Sequence, residues 1–208
     1  MADVAPLLAE HGYAWAKAAI TGGQYRHPDG LHYGGAATAQ SLRILEQVVA
    51  ERLTSAERVF IIDLHTGHGP SGHLTVLTDE PEGSPEDQVL RACFETAVSS
   101  AGDNDSSGGP KSGPIARGIA NLLTGAETVV ATFEIGTADD LEQLEATYGE
   151  QWVHRRSDPA DPTHRLIRQR YFECFTPDDP TWEHDGLCAG RTALTAAFEH
   201  VLAWSADA

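Results

Sequence analysis

Cysteine is scarce in this 208-residue chain, which has only Cys93, Cys174 and Cys188. The number is odd, the positions are scattered and no C-x-x-C pair occurs. Neither a thiolate zinc site nor a disulfide scaffold is supported, and buried free thiols are the expectation. Basic residues are also few, 14 Lys and Arg against 31 Asp and Glu, for a formal net charge of −17. That balance opposes binding to nucleic-acid phosphates or anionic lipid, so neither nucleic acid nor membrane is expected as a partner. The acidic excess is spread along the chain, and stretches such as 79–82 and 139–142 read as solvated faces. No apolar run reaches 18 residues, which gives no sign of a transmembrane helix. The first residues lack the basic segment and apolar core of a secretory signal, and a cytoplasmic address is the expectation. Internal repeats are absent.

What is present, 41% hydrophobic and 22% charged residues, suits one globular α/β domain over residues 1–208 with a single sizeable core. Apolar periodicity predicts helices over 4–21, 38–53, 114–123, 138–149 and 186–204. A further helix over 85–101 is announced by Ser84 as N-cap, Pro85 at the first helical position and Asp87 where a capping-box acid belongs. Strands are predicted over 58–65, 72–77 and 127–134, with 169–175 a possible last one. Helix and strand alternate, which predicts a mixed, largely parallel sheet flanked by helices. Leu141, Leu144 and Tyr148 form the apolar stripe of one helix. On the last, Leu187, Ala193, Leu194, Ala197, Phe198, Val201 and Leu202 are available to pack on the sheet. Residues 24–35 form a loop rich in glycine and rings, 102–113 a flexible low-complexity loop, and 152–185 are poorly patterned.

Two stretches carry chemistry. Residues 58–65, Arg-Val-Phe-Ile-Ile-Asp-Leu-His, run into Thr66-Gly-His-Gly-Pro70. Asp63 and His65 are two apart, so on a strand both project from one face. The crevice beyond strand carboxyl ends in an open α/β sheet is where ligands bind. Residues 127–137 repeat the layout, a β-branched run that reaches Glu134 and then the Ile-Gly-Thr137 turn. A histidine and a carboxylate delivered by two strands suit hydrolysis, with His65 as metal ligand or base and Glu134 as general base. Asp63 fits a partner that orients an imidazole as well as it fits an ordinary strand-end hydrogen bond. His65, His68 and His73 fall within nine residues, but no named metal geometry matches their spacing.

Together, "IDLHTGHGPSGH", "TFEIGT" and the earlier "GGQYRHPDGLHYGG" resemble the zinc carboxypeptidase-like superfamily. The resemblance is to its bacterial branch of unknown function, related to succinylglutamate desuccinylase and aspartoacylase, and it runs from about Gly12 onward. It implies zinc as cofactor, with His65 as the third ligand and Glu134 as general base and acid. The implied substrate is a peptide or N-acyl amino acid. The resemblance also places the 24–35 loop near the active-site face, so that His27, His32 and Tyr33, with His68 and Thr137, lie close to substrate. The alternative for the loop rings is a loop packed on itself. Six arginines, Arg91, Arg117, Arg155, Arg156, Arg168 and Arg170, are available to meet a substrate carboxylate.

Two family elements are missing. No histidine here is followed three positions later by glutamate, so the H-x-x-E type motif that supplies the first two zinc ligands is not found. The downstream Asn-Arg pair is not found either. The chain therefore resembles the C-terminal portion of such an enzyme, lacking the early strands, and zinc is expected to be held weakly or not at all. Two functions stay open: an amide-bond hydrolase of metallocarboxypeptidase or deacylase type with an incomplete site, or a non-catalytic remnant serving as a binding module. The family's early strands lie beside the histidine strand, so their absence implies an unpaired sheet edge, closed by a homodimer contact or by residues 1–35.

Overall fold

The computed structural model describes residues 5–13, 15, 22–30, 32–100 and 113–206. In chain order its elements are α1 (Ala5–His11), α2 (Gln40–Arg52), β1 (Arg58–Gly67), β2 (Leu74–Thr78), α3 (Pro85–Phe94), β3 (Val98–Ser100), α4 (Ile115–Leu122), β4 (Glu127–Gly136), α5 (Asp140–Arg156), α6 (Pro162–Phe175) and α7 (Pro180–Ala206). The α/β class holds. The strands form one sheet in the order β1-β4-β2-β3. β1 and β4 are parallel, β2 and β3 are parallel, and β2 and β4 are antiparallel, so the sheet is mixed rather than largely parallel.

Strand alternation decides what each face meets. Phe60 and Ile62 of β1 with Val129, Ala131 and Phe133 of β4 point to one side, where Val76, Leu90, Phe94, Val98, Ala193 and Ala197 complete the main core under α3 and α7. Phe94 meets Phe133 edge-on at 5.0 Å between ring centroids. The other face carries Ile61 and Val130 against Ala116 and Ala120 of α4. It is the smaller core, built on alanine.

Local signals account for most boundaries. The Ser84 hydroxyl accepts from the Asp87 amide, and the Asp87 carboxylate accepts from the Gly83 amide, one residue earlier than the standard capping box. Arg91 also donates to Asp87 and holds that buried carboxyl below its ordinary range. α3 ends at Phe94 rather than near 101. Glu95 takes a left-handed φ of 48°, a 3-10 turn follows, and Val98 pairs with Val76 of β2 as β3. Sheet pairing has here overridden local helix preference. α1 stops at His11, because Gly12 adopts a φ of 82°. The rest of the predicted 4–21 helix falls largely on residues 14 and 16–21, outside the described residues. The 102–113 loop lies outside them too, except for Gly113.

The poorly patterned region is helical. α5 runs on to Arg156, residues 169–175 belong to α6 rather than to a strand, and α7 begins at Pro180 instead of 186. Both α6 and α7 start at Asp-Pro-Thr, with the aspartate carboxylate accepting from the threonine amide. α5 and α6 form a hairpin laced by Arg168–Glu150 and Arg170–Glu145, each at 3.6 Å. Buried Ala146 and Val153 face inward from α5, while Leu141 is exposed. On α7 it is Ala193 and Ala197 that seat on the sheet. Leu187, Leu194, Phe198 and Leu202, expected to do so, are exposed. Of the three thiols Cys174 is buried, Cys93 is half-buried and Cys188 is exposed, so the expectation of buried thiols fails for Cys188.

Candidate functional site

β1 and β4 end together. Their parallel register sets Asp63 beside Thr132, His65 beside Glu134 and Gly67 beside Gly136. Alternation turns Asp63, His65 and Glu134 to the face shared by Ile61 and Val130. The His65 ring is held between two carboxylates: Asp63 Oδ1 lies 3.0 Å from Nε2, and Glu134 Oε1 lies 3.6 Å from Nδ1. Together they raise the imidazole above its ordinary pKa, Glu134 most strongly, against the opposing effect of burial. Glu134 acts chiefly by hydrogen bonding to the ring, while the nearer Asp63 acts chiefly through its charge. Glu134 is 8% exposed and also accepts from the His68 amide at 3.3 Å.

The loop after β1 folds tightly over the end of β4. Gly72 donates to the Gly136 carbonyl and Gly136 to the His73 carbonyl. A Cβ at Gly136 would stand 2.1 Å from the Pro70 carbonyl oxygen, so only glycine fits there. This close approach carries the His68 amide to Glu134. Thr137 is buried, and its amide donates to the Gly67 carbonyl, which ties the two strand ends together. Its part here is architectural.

The other candidates lie differently. His68 is partly buried, with Nδ1 4.0 Å from Asp140, and Asp140 accepts from the Tyr13 hydroxyl at 2.9 Å. Burial, then Asp140, pushes the Tyr13 phenol up to about 12. Tyr13 and Asp140 thus belong to the rim of the site. Neither carried a recognisable signal in the sequence, since Tyr13 sat in an apparent helix and Asp140 in an acidic run. The 24–35 loop closes on itself: Gln24 accepts from the Arg26 and His27 amides and donates to the His27 carbonyl. It docks on α5, where Gln151 bonds both the amide and the ring of His32, and Arg155 donates to Pro28. His27 is exposed, while His32 and Tyr33 are half-buried, and among the described residues no hydrogen bond or ion pair joins these three to His65 or Glu134. Of the six arginines, Arg91, Arg117, Arg155, Arg168 and Arg170 already hold protein partners.

The donor chemistry bears directly on zinc. Asp63 and Glu134 occupy opposite edges of the same imidazole, so they cannot converge on one ion together with it. Among the described residues no group of three or more His, Cys, Asp or Glu side chains is arranged to hold a metal. The described residues do not make a complete zinc site. No helix among the described residues is long and apolar enough to cross a membrane.

No curated protein and no solved structure matches this chain. A family model does match it over residues 1–188, and the chain therefore belongs to DUF2817, a family of proteins of unknown function.

Proposed function

We propose that the chain carries part of a zinc carboxypeptidase-like amide-hydrolase centre, with His65 as a metal ligand and Glu134 as general base and acid. The observation that carries this reading is the adjacency of His65 and Glu134 on paired strands, 3.6 Å apart at one rim of the sheet. Zinc in such a centre polarises the carbonyl under attack and acidifies a water. Glu134, buried and bonded to the His68 amide, is the group of this chain that would take up and return a proton in such a centre. Asp63 is the group that orients the imidazole. The substrate class is a peptide or N-acyl amino acid, and a cytoplasmic setting belongs to the same proposal.

The constellation is partial. A single imidazole with carboxylates on opposite edges leaves the ion short of the three protein ligands that catalytic zinc sites use. That same clamp favours the second reading, a non-catalytic member of the family in which His65 and Glu134 stabilise the strand ends beneath a binding surface.

Zinc titration, followed through the imidazole signals of the ten histidines, tests the assignment. The expected result is a weak, non-stoichiometric association in which the His65 ring responds first and the His65→Ala variant no longer responds. One tightly held zinc per chain would show the site to be complete and the account of its donors wrong. A response from other histidines with His65 silent would remove His65 as a ligand and leave the second reading.

A further inference from the structure

A cleft between α3 and α7 follows from two local features of the sequence. α3 stops at Phe94, and the chain passes through a 3-10 turn (Glu95–Ala97) into β3 instead of continuing alongside α7. Beside that stop α7 presents Ala189, Ala193 and Ala196, side chains too short to fill the space. The cavity left has a volume of about 380 Å³, within the range of small-molecule sites. Leu74, Phe94 and Ala97 complete its apolar lining, and Cys93, Glu95 and Thr192 add polar atoms. Leu74 lies on the main-core face, so the cavity is across the sheet from Glu134.

Glu95 stands out in this lining. Its φ of 48° and ψ of −118° are those of the first central position of a type II′ turn, which glycine takes without strain and glutamate does not. Strained residues of this kind cluster at ligand clamps, where the strain serves the site. Glu95 is exposed, and among the described residues its carboxylate has no hydrogen-bond or ion-pair partner. No basic residue lines the cavity, and burial pushes the Cys93 thiol up, so Glu95 is the one charge in the lining. The Thr192 hydroxyl donates to the Cys188 carbonyl and so offers a ligand only its lone pairs.

We propose that this cavity binds a small primary amine with an apolar body, the body against Phe94 and the α7 alanines and the ammonium on the Glu95 carboxylate. Charge complementarity selects the cation. The Glu95 and Thr192 oxygens both accept hydrogen bonds, and an ammonium brings donors alone. An anion would meet Glu95 on a chain of net charge −17, and a neutral apolar molecule would leave the carboxylate without a partner.

NMR of the alanine methyls, titrated with 2-phenylethylamine near pH 7 at low ionic strength, tests this. Saturable shifts are expected at Ala97, Ala189, Ala193 and Ala196, with a dissociation constant of about 1 mM for so small a molecule. 2-Phenylethanol, the same body without the charge, should bind about five-fold more weakly, as suits an exposed ion pair, and 3-phenylpropionate should not saturate. Glu95→Gln should bring amine and alcohol to equal affinity. Glu95→Gly should do the same while melting at or above wild type, because glycine relieves the turn, and this separates lost charge from lost fold. Ala189→Leu, which fills the cavity from a half-buried position, should weaken every ligand at least about ten-fold and keep the wild-type circular dichroism spectrum.

Equal affinity of the wild-type chain for amine and alcohol overturns the proposal, as does an amine preference that survives Glu95→Gln. Absence of saturable shifts up to about 20 mM overturns it too. So does binding unchanged in Ala189→Leu, or shifts confined to the larger groove lined by His65, Leu187 and Phe198.

Discussion

β1 and β4 are ten-residue strands of one design, each a β-branched run that delivers an ionisable residue just before a glycine turn. They are paired along their whole length, yet they live in different surroundings. β4 lies between β1 and β2, and most of its residues from Val129 to Gly136 are buried. Leu64, opposite Phe133 in the register, is 60% exposed, while Phe133 is wholly enclosed. The difference comes from sheet order, a non-local property. It fixes the chemistry of the site as well, since Glu134 inherits the dry interior and His65 the wet rim.

The widest gap between the two strands should appear on truncation of facing residues. Phe133→Ala removes a ring packed edge-on against Phe94 and should cost about 3–5 kcal/mol, lowering the melting temperature by roughly 10 °C. Leu64→Ala in the monomer should stay within about 0.5 kcal/mol, as exposed positions usually do. Thermal or urea unfolding at low protein concentration measures both. Equal losses would mean that the β1 edge is not open in solution.

A smaller effect should come from Asp87, whose carboxylate ties Gly83 to Arg91 at the start of α3 while its amide bonds the Ser84 hydroxyl. Its folded pKa is depressed, chiefly by Arg91 and then by the Gly83 amide. The stability it contributes is therefore complete above the unfolded carboxyl value near 3.9 and is lost as pH falls through the lower folded value. At pH 6 Asp87→Asn should melt a few degrees below wild type, and the two curves should converge once the pH has fallen below the depressed folded value. A constant offset at all pH values would assign the loss to packing instead. Ser84→Ala, which removes one cap hydrogen bond, should cost about 1 kcal/mol at every pH.

How far the chain could be read follows the same division between local and non-local. The strands at 58 and 127, the Ser84 cap and α2 were legible because alternation and capping act within a few residues. His65 and Glu134 could be brought to one rim of the sheet from their motifs, but their direct pairing on neighbouring strands could not be read, since register is set by tertiary pairing. β3 was missed because Val98 leaves the helical pattern only to pair with Val76. α6 was misread as partly strand. Its buried residues include His164 and Cys174 instead of an apolar stripe, and its start lay in an Asp-Pro-Thr signal taken for irregular chain. α7 was placed near its true span while its exposed and buried faces were confused. Ala193 and Ala197 let the helix sit close on the sheet, and the larger side chains are turned outward.

The smallest expected effect concerns the rim itself. In the metal-free chain the His65 imidazole gains Glu134 and Asp63 as partners, and its folded pKa stands above the unfolded value near 6.5. A group raised in this way contributes stability that is fully present below about pH 6.5 and is lost as pH rises through the folded value. The ring is 47% exposed, so water screens both pairs, and the change in melting temperature should be no more than about 2 °C. Melting curves between pH 5 and 9 should show this decline in wild type and not in His65→Gln. The imidazole titration, followed by NMR, should have its midpoint above 6.5 and move down in Glu134→Gln more than in Asp63→Asn. The reverse order would mean that the nearer, wetter carboxylate governs the ring. The contrast between a dry β4 and a wet β1 would then not reach the one place where the two strands share chemistry.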